Sequence, residues 1–453
     1  MLRLFRGAAG YGDLVNRLRK GIETGSLTPG ARLPSQRRLA YDLGIAIGTV
    51  TRAFQVAERE GLITSYIGRG SFVAPLGVAA DRRRLDRDTD TDIQLSLDEP
   101  LEMLDPPIGE TLREIANDPS CGTLSQYHST LWGQRHRDAG VQWIKRFGLT
   151  VPADNVVVTA GAQHAILCAL ATTCRPGDVV MAEELSYPGF RGAVEMLGLR
   201  VEPIKVDTHG IVPSAVEDIC AKTTPRALYV TPSCQNPTNC QLNASRRAHL
   251  ARLAEKHDFA IIEDDLRPRS VLPSPPPIAS LAPNRTFLIA GVSKTLGGGL
   301  RVGFMAVPKR WMKAVSTSVW ASMHTTSPLN AEIATRLILS GAANRVALAK
   351  EKEAKVRRGD AERILGSWDV RTHAGSTVAW LVLPKPWTSA QAAVAIREGG
   401  ISIAPSEAFW NAHTPPPNAI RISLGVPRTR ESLNRALERI AAILASPPDQ
   451  IRL

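Results

Sequence analysis

The sequence predicts an α/β protein in two parts, a small helical head carrying a hairpin and a large doubly wound body with a smaller α+β lobe. Three observations predict it. Residues 1–75 combine helical periodicity with concentrated basic charge. Residues 76–92 (LGVAADRRRLDRDTDTD) alternate charge with almost no apolar periodicity and read as a flexible charged linker. From Ile93 onward short apolar strands alternate with helices, the pattern of a mostly parallel sheet. The expected limits are therefore a head over 1–75, a linker over 76–92 and a body over 93–453, with the smaller lobe from about residue 327 to 453. At 453 residues the chain is long enough for two or three such units with large cores.

Composition narrows the function classes. With 43% hydrophobic and 22% charged residues, the chain has the make-up of a soluble globular protein. No apolar run is long enough to span a bilayer, and the start MLRLFRGAAGYGD has no signal-type apolar segment, so no membrane partner is expected. The six cysteines form no CxxC pair and no zinc-type spacing, which points to a reducing, cytoplasmic location. The nine histidines form no HExxH-like cluster, and no metal site is expected. The net charge of +12 is unevenly spread: residues 1–75 hold eleven Lys and Arg against five acids, a net of +6 in a sixth of the chain. Such asymmetry points to a polyanionic partner for the head.

Within the head, Leu14, Leu18 and Ile22 recur every four residues and predict a helix from Tyr11 to about Thr24. Gly25, Pro29 and Gly30 end it. Ser35 is a natural N-cap for a second helix, with Leu39 and Leu43 facing inward and Gly44 closing it. A turn at Ile45–Ile47 leads to a third helix over about Gly48–Glu60, with Val50, Phe54 and Ala57 on its buried side. Two helices joined by so short a turn form a helix-turn-helix, whose second helix reads the major groove from its N-terminal end. Leu62–Tyr66, a turn at Ile67–Gly70 and Ser71–Val73 then make a hairpin with a basic tip.

In the body, strands are predicted at Val156–Thr159, Val179–Ala182, Ala227–Thr231 and Ala260–Glu263, with helices such as Ala162–Thr173 and Ala244–His257 between them. Gly161-Ala162-Gln163 opens a helix after a strand, where free backbone N–H groups and the helix dipole favour a phosphate. Tyr187, Asn236 and Asp264 each follow or end a strand. The apolar run Thr286–Ile289 delivers Ser293-Lys294 to the turn Gly297-Gly298-Gly299 and then Arg301. A lysine so placed is poorly hydrated, and a neutral amine is the form that attacks an aldehyde. Arg301 offers a planar fork suited to phosphate. A long helix over Ala331–Ser367, strands Thr377–Leu383 and Ala419–Leu424, and a terminal helix Arg430–Leu444 complete the smaller lobe, with Arg421 in AIRISL.

The head segments PGARLPSQRRLA, GTVTRAF and EGLI…GRGSFV resemble the GntR-type winged helix. That resemblance implies DNA contacts from Arg37, Thr49, Thr51, Arg52 and the wing-tip pair Arg69-Gly70. Ile47 stands where that family usually carries a polar residue. The ordered motifs of 93–453 look like fold-type I pyridoxal-phosphate enzymes of the aminotransferase class, and the whole chain resembles the MocR family of chimeric regulators. The resemblance implies Lys294 as the aldimine lysine, Asp264 on the pyridine nitrogen, Asn236 on the ring O3′ and Tyr187 stacked on the ring. It implies Ala162, Gln163, Ser293 and Arg301 around the phosphate, and Arg421 on the carboxylate of an amino-acid ligand. Three positions depart from the pattern: Leu266 and Arg267 where a tyrosine is usual, Gly291 where a hydroxyl is usual, and Asn239 where a glycine is usual. The expectation is a cytoplasmic, homodimeric transcriptional regulator that binds operator DNA and senses pyridoxal 5′-phosphate or an amino compound, with weak turnover or none. The alternatives are a competent aminotransferase that also binds DNA, and a regulator whose body has lost the cofactor.

Overall fold

Short apolar runs bounded by turns, buried throughout in every strand but the edge strand Arg200–Ile204, become a seven-stranded sheet at the centre of the body. Their order is Val156–Thr159, Gly303–Ala306, Thr286–Gly291, Ala260–Asp264, Ala227–Val230, Val179–Glu183 and Arg200–Ile204. Gly303–Ala306 is antiparallel to both its neighbours, and the other six strands run one way. Loops at the carboxyl ends of the parallel strands therefore open on one edge, where such sheets place ligands. The computed structural model describes residues 5, 10–23, 26–27, 31–59, 62–66, 70–73, 93–106, 108–127, 129, 132–265, 275–412 and 414–447. The linker expected over 76–92, the wing-tip Arg69, and Leu266 and Arg267 lie outside the described residues.

The head holds helices Tyr11–Glu23, Gln36–Leu43 and Ile47–Arg59 and an antiparallel hairpin of Ile63–Tyr66 with Gly70–Val73. Ser35 caps the second helix by accepting the Arg38 N–H, and Gly44 closes it in the left-handed conformation at φ +66°. Leu14, Leu18, Leu39, Val50, Phe54 and Ala57 are buried in one core, the apolar side read from the sequence. The third helix starts at Ile47, one residue before the expected start, because the Ala46 carbonyl accepts the Thr49 N–H.

A second, four-stranded antiparallel sheet orders Val370–Arg371, Val378–Val382, Ala419–Ser423 and Ala404–Pro405. Helices Ser389–Glu398 and Arg430–Ala445 pack on it around Leu381, Ile420, Ile422, Leu437 and Ile440. The single helix expected over Ala331–Ser367 is in fact two, Pro328–Leu339 and Ala342–Leu365. Gly341 separates them at φ +74°, a conformation that ends a helix and that glycine adopts without steric cost.

The body begins with a strap. Ile93–Gln94 pairs in parallel with Ile401–Ser402, and the Leu95 backbone bridges Ser402 and Ser423. Residues 96–105 then cross to the long helix, where Lys350 donates to the Pro100 carbonyl at 3.0 Å and pairs with Asp105.

Candidate functional site

One cavity of about 850 Å³ opens at the carboxyl edge of the large sheet and gathers all nine body residues singled out from the sequence. Its floor is Asp264, the last residue of the strand Ala260–Asp264. Burial comes first among the causes that push this carboxyl up to about 7, and the neighbouring Asp265 charge adds to it. Tyr229, one strand away and stacked on Phe190 at 4.3 Å, donates its hydroxyl to Asp264 Oδ2 at 2.7 Å. The other oxygen, Asp264 Oδ1, is buried with no hydrogen-bond partner. An orphaned carboxylate oxygen is costly in a protein interior unless a donor reaches it.

After the neighbouring strand Thr286–Gly291, the one-turn helix Ser293–Leu296 presents Lys294, and Ser293 lines the cavity beside it. The expected poor hydration is present, since the Lys294 side chain is 16% exposed. The amine nevertheless meets a carboxylate: Asp98 Oδ2 lies 3.0 Å from Lys294 Nζ. Lys294 also donates to the Asp98 carbonyl.

At the start of helix Ala162–Thr173, Gly161 has φ +81°, and a Cβ there would lie 2.9 Å from Arg301 Nη2. Only glycine allows the Arg301 guanidinium to close over this turn, where it donates to the Gly298 and Ala160 carbonyls at 3.4 and 3.5 Å. Gly303 is required for the same reason: its Cβ would come within 3.0 Å of the Gly161 backbone. Gly291 pairs with it across the strands, leaving no hydroxyl at that position. The Gln163 amide donates to the Gly189 carbonyl at 2.7 Å, and its oxygen is buried against Gly189 without a hydrogen-bond partner. A phosphate would therefore meet the Ala162 and Gln163 backbone N–H groups and Arg301 rather than the Gln163 side chain.

Tyr187 caps helix Pro188–Met196 and is brought beside Gln163 because residue 189 is glycine; a Cβ there would overlap both side chains. Its phenol is raised chiefly by burial and next by the charge of Asp264. Asn236 sits in a loop stapled by the fully buried Arg247, which donates to the Leu242 and Pro232 carbonyls at 2.9 Å. The departure at Asn239 has a physical account. It adopts φ +64°, which asparagine tolerates better than most residues, and its amide donates to Arg371 and Val378 of the second sheet at 3.0 Å.

Arg421, on the second sheet, faces the cavity from the opposite side and is 6% exposed. It donates to Asn236 Oδ1 at 2.8 Å and to the Ser96 carbonyl at 2.6 Å, and its guanidinium lies 4.7 Å from the Phe409 ring centroid. Four participants escaped sequence reasoning: Tyr229, Asp98, Ser96 and Phe409. Tyr229 looks like an ordinary buried strand residue, and Asp98 reaches Lys294 across 196 positions of chain. No local pattern could have revealed either.

On the head, Arg37 and Arg52 are exposed, and Arg52 lies over the Tyr11 ring at 4.4 Å. Thr49 is half-buried in the first turn of the third helix, and Thr51 donates to Gln36 Oε1 at 2.8 Å, joining the two helices. Gly70 begins the second hairpin strand. Ile47 is 48% exposed at the start of the third helix. Among the described residues no group of three His, Cys, Asp or Glu could hold a metal ion, and no helix is long and apolar enough to cross a membrane.

Two family models match this chain: aminotransferase class I and II over residues 94–440, and bacterial regulatory proteins of the gntR family over residues 11–73. The chain is 28% identical to an uncharacterized HTH-type transcriptional regulator, YdeF, of Bacillus subtilis, over 96% of this chain and 94% of that protein. It is 28% identical to the probable rhizopine catabolism regulatory protein MocR of Rhizobium meliloti, over 65% of each chain. The body has the fold of an archaeal alanine:glyoxylate aminotransferase, with a TM-score of 0.74, 22% identity, and coverage of 81% of this chain and 94% of that one.

Proposed function

Because this chain belongs to the MocR-type GntR regulators, in which a gntR-family head precedes an aminotransferase class I and II domain, we propose that it binds operator DNA through residues 1–75 and pyridoxal 5′-phosphate in the body cavity. Residues 76–92 serve as the linker and 93–453 as the sensing unit, whose smaller lobe starts near residue 327. The observation that carries the cofactor reading is the orphaned Asp264 Oδ1, a buried acceptor awaiting a donor such as the N–H of a pyridinium ring. The other residues fit the same group. Lys294 would bond its aldehyde, Tyr187 would lie on its ring and Asn236 would face its O3′. The Ala162–Gln163 turn, Ser293 and Arg301 would hold its phosphate. When bound, the cofactor supplies an electrophilic carbon able to take up a primary amine. Arg421 then reads the carboxylate of an amino-acid ligand through a two-pronged pair.

The same reading makes the protein a homodimer with two DNA heads, since paired heads match the two-fold symmetry of paired half-sites. An exposed aromatic and apolar group supports a second copy: Tyr127 is 90% exposed with its ring 5.0 Å from that of His324, and Trp320 lies beside them at 59% exposed. On the head, Arg37, Thr49, Thr51, Arg52, Arg69 and Gly70 are the proposed DNA contacts, and the exposed Arg52 tests them. Arg52→Ala is expected to weaken operator binding and to reduce the slope of log affinity against log salt by about one, as for one lost phosphate contact. The measurement is fluorescence anisotropy of labelled operator at several salt concentrations. An unchanged affinity and slope would remove Arg52 from the interface.

A further inference from the structure

The strap that opens the body touches both groups through which a ligand would be held. Asp98 pairs with Lys294, and two residues earlier the Ser96 carbonyl accepts from Arg421. The Asp98 contact is built rather than incidental. Thr377 donates to Asp98 Oδ1 at 3.3 Å, and both members of the pair are shielded, with side chains 16% and 12% exposed. The strap itself is fixed at both ends, by Leu95 to Ser402 and Ser423 and by Pro100 to Lys350.

We infer that Asp98 is a positioning residue that holds Lys294 in reserve, and that cofactor loading exchanges this ion pair for the covalent bond. The inference rests on the cofactor reading above. A carboxylate against the amine favours its ammonium form, and an ammonium has no lone pair with which to attack an aldehyde. For loading to occur, Lys294 leaves Asp98 and gives one proton to solvent. The neutral amine then adds to the aldehyde carbon of pyridoxal phosphate, one C=N bond replaces the C=O, and one water leaves. Nothing is oxidised or reduced. Asp98 thus sets how readily the site fills, and the strap is the part of the body that a filled site must disturb.

The test uses the full chain, stripped of cofactor, with pyridoxal 5′-phosphate added and loading followed by visible absorbance. Asp98→Asn keeps the size of the side chain and removes its charge, and it is expected to load roughly tenfold faster than wild type. Asp98→Glu keeps the charge and should load within about twofold of wild type. Thr377→Val, which removes one hydrogen bond to Asp98 and leaves the pair, should fall between wild type and Asp98→Asn. Melting temperatures of all variants establish that each is folded. Loading of Asp98→Asn at or below the wild-type rate, or Asp98→Glu matching Asp98→Asn, overturns the role of Asp98. Absence of absorbance in every protein, wild type included, overturns the cofactor reading and this inference together, and the two failures are told apart by whether wild type loads.

Discussion

Replacing Asp264 with asparagine is expected to weaken pyridoxal phosphate binding by roughly 10–100-fold while leaving the fold intact, the range given by losing one charge-assisted hydrogen bond. The carboxyl is fully enclosed, receives the Tyr229 hydroxyl on one oxygen and presents the other without a partner. An amide can still accept from Tyr229, but it offers no negative charge to a protonated ring nitrogen. The effect on the cofactor-free chain should run the other way. Burial raises the folded Asp264 to about 7 from an ordinary value of 3.8. Between these values the unfolded chain has released a proton that the folded chain keeps, so rising pH costs stability across that window. Above about pH 7 the folded chain carries the charge at full cost, and Asp264→Asn escapes it. The variant should therefore melt no lower than wild type at about pH 8, while needing far more cofactor to develop its absorbance. Cofactor titration and thermal melts at two pH values check both halves. Undiminished cofactor affinity in a folded Asp264→Asn would show that Asp264 does not meet the ring nitrogen.

Loss of Arg421 is expected to blunt strongly any response of DNA binding to an amino acid. The Arg421 guanidinium bonds the Asn236 side-chain oxygen and the Ser96 carbonyl. An incoming carboxylate would replace two neutral oxygens with a charged one, and that exchange draws on both the second sheet and the strap. Truncating one member of a buried charge pair costs about 2–5 kcal/mol. The effector concentration needed should therefore rise on the order of a hundredfold or more in Arg421→Ala, with only partial recovery in Arg421→Lys, whose single ammonium cannot bond two oxygens side by side. The cofactor's absorbance should stay unchanged, because Arg421 is assigned to the ligand and not to the ring. Operator binding measured against amino-acid concentration, with cofactor present, reads this directly. A wild-type response in Arg421→Ala would refute the carboxylate role. Only a ligand that binds two states unequally can shift them, so the size of the response bounds the coupling.

How much of this was legible in the sequence depends on whether the signal was local. The strands Ala260–Asp264 and Thr286–Gly291, which carry Asp264 and deliver Lys294, are short apolar runs that lie within a residue or two of their predicted spans. The helix-turn-helix was equally plain, because Ser35, Gly44 and the spacing of Leu39, Val50 and Phe54 are chain-neighbour signals. The break at Gly341 escapes a local reading because helical sequence continues on both sides of it, and one left-handed residue decides the matter. Asp98 and Tyr229 were invisible for a different reason. Their meaning comes from what lies across the fold, a lysine 196 residues away and a carboxylate 35 away. Asn239 shows the reverse case: an apparent defect in a glycine position becomes a tie to the second sheet once its left-handed backbone and its two acceptors are seen.

Lys294 is proposed as the residue that holds pyridoxal phosphate in this regulator. Loading the purified chain with the cofactor, reducing the adduct with borohydride and mapping the peptides by mass tests it most directly. One label per chain is expected, on Lys294, and none in Lys294→Ala, which should still bind operator DNA. A label on any other lysine, or none after saturation, would contradict it.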